Sequence, residues 1–215
     1  MIRGVIFDMD GVIFDSERAG TRMLREAAME LGLPMTQEQV MQLLGCNNEK
    51  CRAAIQRWFG DQVDYEQVEK RWTELTFEHV EKHGMPLKKG MPHVLQALKA
   101  KGIKTALATS NEPVVVNFYF EHAGIDGLLD EIVTGSQVAH SKPAPDIYLE
   151  AARRLGLKPE ECVGVEDSVN GVKAIRAAGM TSVMVPDMKP YTEELAPYVD
   201  LLLEDLDQLI PALKL

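Results

Sequence analysis

The stretch Val5-Ile6-Phe7-Asp8-Met9-Asp10-Gly11 decides the fold of this 215-residue chain. Three apolar residues, followed at once by two carboxylates and a turn-forming Asp-Gly pair, indicate a short buried strand that ends in a loop. More short apolar runs follow from about residue 103 onward, with helical patterns between them. Strands that alternate with helices favour a parallel sheet with right-handed crossovers. The sequence therefore predicts a doubly wound, Rossmann-like α/β core.

The predicted strands of this core are short and mostly apolar. They are Val5 to Phe7, Thr105 to Ala108, Ile132 to Val133, Cys162 to Val165, Ser182 to Val185 and Leu201 to Leu203. Between the third and fourth strands, Ile147, Ala151 and Leu155 repeat every four residues before Gly156. This spacing predicts a helix with a glycine C-cap.

A different pattern occupies residues 16–86, where strand signals give way to several amphipathic helices. Ala19, Met23, Ala27 and Leu31 recur at helical spacing before a glycine and a proline stop the first of them. We therefore expect residues 1–15 and 87–215 to form the Rossmann-like core and residues 16–86 to form an inserted helical cap. Two connectors between the parts are what a hinged lid requires.

The charge balance excludes some partners. The chain has 33 acidic and 23 basic side chains and a formal net charge of -10, so nucleic acid and anionic membranes are not expected partners. Hydrophobic residues make up 46% and charged residues 26%, which is typical of a soluble globular protein. Seven acidic residues and one basic residue lie between positions 187 and 207, outside the motifs described below.

Several features predict a cytoplasmic location. The first apolar stretch is too short for a signal peptide, and no run approaches the roughly 20 apolar residues of a membrane span. Cys46, Cys51 and Cys162 cannot all pair with one another and form no two-residue-gap metal or redox motif, which favours a reducing compartment. Cys162 lies in an apolar run, so we expect it to be a core residue.

Four polar clusters follow predicted strands or the loops that leave them: Asp8-Met9-Asp10-Gly11, Thr109-Ser110-Asn111, Ser141-Lys142-Pro143 and Glu166-Asp167. Each has an ordinary explanation taken singly: a turn, a helix cap, a solvated lysine, and acids beside a helix N-terminus. Together they fall at the carboxyl ends of parallel strands, which share one edge of the sheet and there form ligand sites. We therefore expect the four clusters to converge.

Convergence of four carboxylates with one lysine and one hydroxyl requires a cation. Carboxylate oxygens suit a hard divalent ion such as Mg²⁺. The sequence therefore predicts a magnesium-dependent phosphoryl-transfer site.

With these four motifs in this order, the chain resembles the haloacid dehalogenase superfamily. The resemblance covers nearly the whole chain, and the cap inserted soon after the first strand is similar to the beta-phosphoglucomutase-like phosphatase branch. It implies a Mg²⁺-dependent phosphatase that acts on a small phosphorylated metabolite, a sugar phosphate being favoured, through an aspartyl phosphate.

The resemblance also assigns chemical roles. Asp8 is expected to be the nucleophile, and Asp10 the acid that protonates the leaving alkoxide and then the base that deprotonates water. Ser110 and the Asn111 amide are expected to hold phosphoryl oxygens. Lys142 is expected to offset charge on Asp8 and the phosphoryl group.

The implied metal ligands are Asp8, the Asp10 carbonyl and Asp167. Glu166 is expected to be either a direct ligand or a partner through water.

Two other activities of the family, halide removal and sugar-phosphate isomerisation by a mutase, are less favoured than phosphatase activity. Halide-removing members lack the second acid of the first motif, so Asp10 favours phosphate chemistry. Mutase members carry a histidine in the first cap helix and an arginine beside the cap loop, whereas this chain has Arg18-Ala19-Gly20 and Gly45-Cys46-Asn47-Asn48-Glu49 there. Neither the histidine nor the arginine stands at the matching place, which disfavours mutase activity, so a sugar-phosphate mutase is the alternative. Asp15, Asn47 and Asn48 could instead hydrogen-bond a sugar hydroxyl.

A regulatory phospho-receiver or a non-catalytic binding module is a hypothesis of a different class. A receiver resembles a chain whose acidic pair precedes the phosphate-accepting aspartate and which has no inserted cap. The motif order here favours the enzyme.

Overall fold

A computed structural model describes residues 1–43, 48–60 and 63–215, with Asn48 described by its backbone alone. Within these residues, six strands form one parallel sheet in the order β3-β2-β1-β4-β5-β6. They are β1 (Gly4–Phe7), β2 (Lys104–Thr109), β3 (Glu131–Thr134), β4 (Cys162–Glu166), β5 (Thr181–Met184) and β6 (Leu201–Leu202). The predicted Rossmann-like fold is confirmed, because each predicted strand overlaps one of these six and the order is that of a doubly wound sheet.

The α-helices of the described chain lie between and after these strands. They are α1 (Ser16–Glu30), α2 (Gln37–Leu43), α3 (Asn48–Phe59), α4 (Tyr65–His83), α5 (Met91–Ala100), α6 (Pro113–Ala123), α7 (Asp146–Leu155), α8 (Val169–Ala177) and α9 (Leu209–Ala212). Short 3₁₀ turns occupy Gly135–Gln137, Pro159–Glu161, Glu193–Tyr198 and Leu206–Gln208. None of the described helices is long and apolar enough to cross a bilayer.

The chain divides into two compact units, Met1–Asp15 with Met85–Leu215, and Ser16–Gly84. In the second unit α1 packs against α4, and the indole Nε1 of Trp72 donates a hydrogen bond to the Gly20 carbonyl (2.8 Å). Helix α1 ends at Glu30, so Leu31 lies beyond it and is 39% exposed, unlike the buried Met23 and Ala27. The interpretation of Ser16–Gly84 as a cap stays a prediction.

The core of the first unit lies between the sheet and its helices. Helix α7 packs against β1, β2 and β3, and α8 packs against β4 and β5. Gly164 of β4 permits this contact, since a Cβ there would lie 2.5 Å from a side-chain carbon of Ile175. Cys162 is buried in this core as predicted, and Cys51 is buried in the second unit.

The strand register fixes which residues meet at the sheet edge. Phe7 of β1 pairs with Leu107 of β2 on one side and with Val165 of β4 on the other. The residues that follow these three therefore lie side by side at the carboxyl end of the sheet. That edge carries the candidate site.

Candidate active site

Asp8 occupies the middle of the site, one residue beyond β1. Its N–H donates to the Val165 carbonyl (2.9 Å), so the ladder between β1 and β4 continues through this residue. Its Oδ1 accepts a hydrogen bond from Lys142 Nζ at 2.6 Å, and its side chain is 13% exposed. Hydrogen bonds thus hold Asp8 at both its backbone and its carboxylate, while a small part of the side chain remains accessible to solvent.

Lys142 links three of the polar clusters. Its Nζ donates to Asp8 Oδ1 (2.6 Å), Glu166 Oε1 (2.6 Å) and the Ala108 carbonyl (3.0 Å). Three acceptors use the full donor capacity of an ammonium group. The nitrogen also lies 5.0 Å from the centre of the Tyr148 ring, and the Lys142–Pro143 peptide bond is cis.

Glu166, the last residue of β4, is held entirely by protein donors on both oxygens. Oε1 accepts from Lys142 and from the Tyr148 hydroxyl (3.1 Å), while Oε2 accepts from the N–H groups of Asp167 (3.1 Å) and Ser168 (3.0 Å) and the Ser168 hydroxyl (2.9 Å). A Cβ on Gly171 would lie 1.8 Å from the Glu166 carboxyl carbon. Glycine is therefore required in the first turn of α8.

These contacts set the charge state of the site. Burial, with the neighbouring Glu166 carboxylate, raises the pKa of Asp8 to about 8. Burial alone would lower the pKa of Lys142, but Asp8 and Glu166 outweigh it and raise that pKa. Burial likewise opposes ionisation of Glu166, yet Lys142 and Ser168 lower its pKa. Lys142 and Glu166 therefore form a charged pair beside an Asp8 that favours a proton unless another cation is near.

The donor set fits a hard divalent cation. Asp8, Glu166 and Asp167 each offer a carboxylate oxygen, and these oxygens lie within 4.8 Å of one another. This is close to the spread of about 3–4 Å between neighbouring and opposite oxygens around an octahedral Mg²⁺. Because Lys142 is one positive charge among three buried carboxylates, a divalent ion would relieve the remaining repulsion.

Asp10 contacts the second motif. The side-chain amide of Asn111 donates to Asp10 Oδ2 (2.5 Å) and to Thr109 Oγ1 (3.1 Å), and the Asn111 N–H donates to the same hydroxyl (3.1 Å). Ser110 is exposed, and its carbonyl packs against Gly135, where a Cβ would lie 2.7 Å away. The structure thus places the Asn111 side chain against Asp10. The phosphoryl-binding roles of Ser110 and Asn111 stay predictions.

The predicted sugar-binding residues are less defined. Asp15 ends the loop after β1, and its N–H donates to the Pro86 carbonyl (2.9 Å). Asn47 and Cys46 lie outside the described residues, as does the Asn48 side chain. Their roles stay predictions.

Three residues at this edge are not predicted from the sequence. Tyr148 lies on the apolar face of α7, so its spacing predicts a core residue, although its hydroxyl donates a hydrogen bond to Glu166. Lys88 and Asp187 form a buried ion pair (2.6 Å) beside the Asp10-Gly11 turn. Asp187 belongs to the acidic stretch between positions 187 and 207, outside the motifs, although it follows a predicted strand and so carries the same signal as Glu166-Asp167.

Comparison with known families gives a match over most of the chain. The model of the haloacid dehalogenase-like hydrolases matches residues 2–179. The chain is 31% identical to the fructose-1-phosphate phosphatase YqaB of Escherichia coli, over 85% of this chain and 95% of that protein. It is also 31% identical to the beta-phosphoglucomutase of Bacillus subtilis, over 88% of this chain and 85% of that protein.

A third relative is a much longer protein. The chain is 32% identical to part of the chloroplastic protein SUPPRESSOR OF QUENCHING 1 of Arabidopsis thaliana and spans 18% of its length. Among solved structures, CbbY from Rhodobacter sphaeroides in complex with phosphate is 28% identical and superposes with a TM-score of 0.83 over 100% of both chains. This chain therefore has the same fold as that protein.

Proposed function

The chain belongs to the haloacid dehalogenase-like hydrolases, and from that premise we propose that it is a Mg²⁺-dependent phosphatase of a small phosphorylated metabolite. The observation that carries the proposal is the set of groups around the Asp8 carboxylate. Its carboxylate is held by Lys142, shares its surroundings with Glu166 and Asp167 oxygens, and is followed by a second acid, Asp10, held by Asn111.

In the first half-reaction, an Asp8 carboxylate oxygen attacks the phosphorus of the monoester. The bond between phosphorus and the ester oxygen breaks, and Asp10 gives its proton to the departing alkoxide. Lys142 stays paired with Asp8 and Glu166 and offsets the charge that develops between nucleophile and phosphoryl group. The result is an aspartyl phosphate on Asp8 and a free alcohol.

In the second half-reaction, water attacks the same phosphorus. Asp10, now ionised, takes the proton of that water, the bond between Asp8 and phosphorus breaks, and inorganic phosphate leaves. The hydrogen bond from Asn111 to Asp10 Oδ2 holds this carboxyl group for both proton transfers. Ser110 and the Asn111 backbone lie at the same edge and are proposed to orient phosphoryl oxygens.

Asp8, Asp167 and the Asp10 carbonyl would hold Mg²⁺, and Glu166 would act beside them mainly by holding Lys142. When bound, the ion supplies charge neutralisation that lets an anionic phosphate approach several carboxylates. This explains how an acidic chain can take an anionic substrate. The requirement for the metal should therefore be absolute.

A sugar phosphate is the proposed substrate. Relatives named as a fructose-1-phosphate phosphatase and a beta-phosphoglucomutase support this class. The Ser16–Gly84 unit is proposed to be the cap that selects the sugar, with Asp15 and Asn47 as hydroxyl-binding residues. A cytoplasmic location suits such a metabolite.

The proposal is tested by phosphate release from p-nitrophenyl phosphate and from a panel of phosphorylated sugars. We expect turnover of p-nitrophenyl phosphate and of at least one sugar monophosphate in Mg²⁺, and none in EDTA. Full turnover in EDTA after exhaustive metal removal would contradict it.

Mutase activity is the second candidate, favoured by the beta-phosphoglucomutase relative. Incubation with beta-glucose 1-phosphate and a sugar bisphosphate primer distinguishes the two. We expect release of phosphate with no glucose 6-phosphate. Conversion to glucose 6-phosphate faster than phosphate release would make the mutase the better assignment.

A further inference from the structure

Lys88 and Asp187 form an ion pair at the same sheet edge as the site but outside the four motifs. Lys88 Nζ lies 2.6 Å from Asp187 Oδ1, and their side chains are only 18% and 1% exposed. Asp187 follows β5, the strand next to β4, which ends at Glu166 and is followed by Asp167. Removing one partner of a buried pair leaves the other charged group without its counter-charge, so the two are expected to hold each other in place.

Gly11 packs between Asp187 and the candidate metal ligand Asp167. It has a φ of 73°, and a Cβ there would lie 2.5 Å from Asp167 Oδ2 and 3.3 Å from Asp187 Cβ. The backbone of the turn after Asp10 therefore contacts both carboxylate side chains. A shift of Asp187 would free this turn on one side.

Lys88 also holds the same loop through its backbone. Its N–H donates to the Ile13 carbonyl (2.9 Å), next to an antiparallel bridge between Phe14 and Leu87. Lys88 thus binds the loop that begins at Asp8 through its backbone N–H. Through its side chain it binds Asp187, which packs against Gly11. The ion pair therefore joins the segment before α5, which contacts the loop after β1, to the loop after β5.

We propose that the Lys88–Asp187 pair is a positioning pair that holds the Asp10-Gly11 turn against Asp167 and so sets the spacing of the carboxylates that bind the cation. The inference rests on the proposed function. Neither side chain touches the reacting atoms in this role. Both act through the turn, where a displacement of about 1 Å would cost on the order of 10²-fold in rate.

The test uses Lys88→Met and the nearly isosteric Asp187→Asn, with Mg²⁺ affinity of the metal-free protein measured by calorimetry. Positioning predicts that both variants bind Mg²⁺ about tenfold more weakly and lower kcat for p-nitrophenyl phosphate by about 10- to 100-fold, with KM changed less than about threefold. Lys89→Met is the matched control. Lys89 also pairs with an aspartate, Asp205, at 2.6 Å, but its side chain is 74% exposed, so we expect wild-type values.

The two variants separate positioning from long-range charge. Lys88→Met adds net negative charge near the ligands and Asp187→Asn adds net positive charge, so a purely electrostatic effect would strengthen Mg²⁺ binding in the first and weaken it in the second. Opposite shifts, or wild-type affinity and kcat in both variants, would overturn the proposal. Asp187→Asn keeps the side-chain shape and serves as the test if Lys88→Met does not fold.

The same experiment distinguishes failure of the inference from failure of the proposed function. A wild-type protein that neither binds Mg²⁺ nor releases phosphate would refute the function. A wild-type protein that does both, with variants that match it, would refute the positioning role alone.

Discussion

Lys142 Nζ lies 2.6 Å from Asp8 Oδ1, across a sequence separation of 134 residues. The lysine reaches this position from the loop before α7, and the same nitrogen binds Glu166 at 2.6 Å. One ammonium group therefore joins the ends of β1 and β4. The arrangement explains why the site needs a lysine here, because its ammonium group is the counter-charge that contacts both Asp8 and Glu166.

Replacing Lys142 with methionine should remove this link. We expect kcat for p-nitrophenyl phosphate to fall by about 10²- to 10³-fold, as when one preorganised charge-stabilising group is lost. The metal-free protein should also lose about 3 kcal/mol of unfolding free energy, because Asp8 and Glu166 lose their counter-charge. Enzyme assays and urea unfolding measure both effects. Lys101→Met, at an exposed position, is the control, and equal losses in the two variants would contradict the account.

Gly171→Ala tests the crowding around Glu166. An added Cβ would overlap the Glu166 carboxyl group at 1.8 Å, so the carboxylate or the start of α8 must move. We expect a loss of about 2 kcal/mol in unfolding free energy, typical of overpacking, and at least a tenfold fall in kcat.

Gly20→Ala is the matched control, since Gly20 is also helical and its Cβ would meet Trp72 at an ordinary 3.8 Å. Alanine there should stabilise the protein by about 0.5–1 kcal/mol through helix propensity. A Gly171→Ala variant as stable and active as Gly20→Ala would show that Glu166 is not held as described.

The metal-free protein should become less stable as pH rises from about 5 to 8. Burial and Glu166 raise the pKa of Asp8 from 3.8 to about 8, so the folded state holds this proton more tightly than the unfolded state. A raised carboxyl pKa contributes stability at low pH, and this contribution is lost as pH rises through the folded value. Thermal unfolding in EDTA should show the slope in the wild type and not in Asp8→Asn. Parallel curves for the two proteins would refute this titration.

Much of the site could be predicted because it depends on topology alone. Residues that follow parallel strands must lie at one edge of the sheet, and Asp8, Lys142, Glu166 and Asp167 were located in this way. The fold followed from the alternation of short apolar runs with helical spacing. Neither inference requires knowledge of side-chain packing.

Other contacts depend on the directions of individual side chains, which the spacing of apolar residues in the sequence does not predict. The Asn111 side-chain amide donates a hydrogen bond to Asp10. The Tyr148 hydroxyl donates one to Glu166, although the sequence pattern predicts Tyr148 to be a core residue. Asp187 is different, because the rule that located Glu166 applies to it equally. The sequence does not single it out because its carboxylate belongs to an acidic stretch that lies outside the four motifs.

The role of Asp8 as nucleophile is the central claim, and turnover by Asp8→Asn in saturating Mg²⁺ tests it most directly. The variant must first show a cooperative unfolding transition, and Asp126→Asn, in an exposed loop, controls for the loss of one carboxylate. We predict that Asp8→Asn lowers kcat for p-nitrophenyl phosphate by about 10⁴-fold or more, because no covalent intermediate can form, while Asp126→Asn matches the wild type. A folded Asp8→Asn protein that kept more than about a tenth of wild-type turnover would contradict the account.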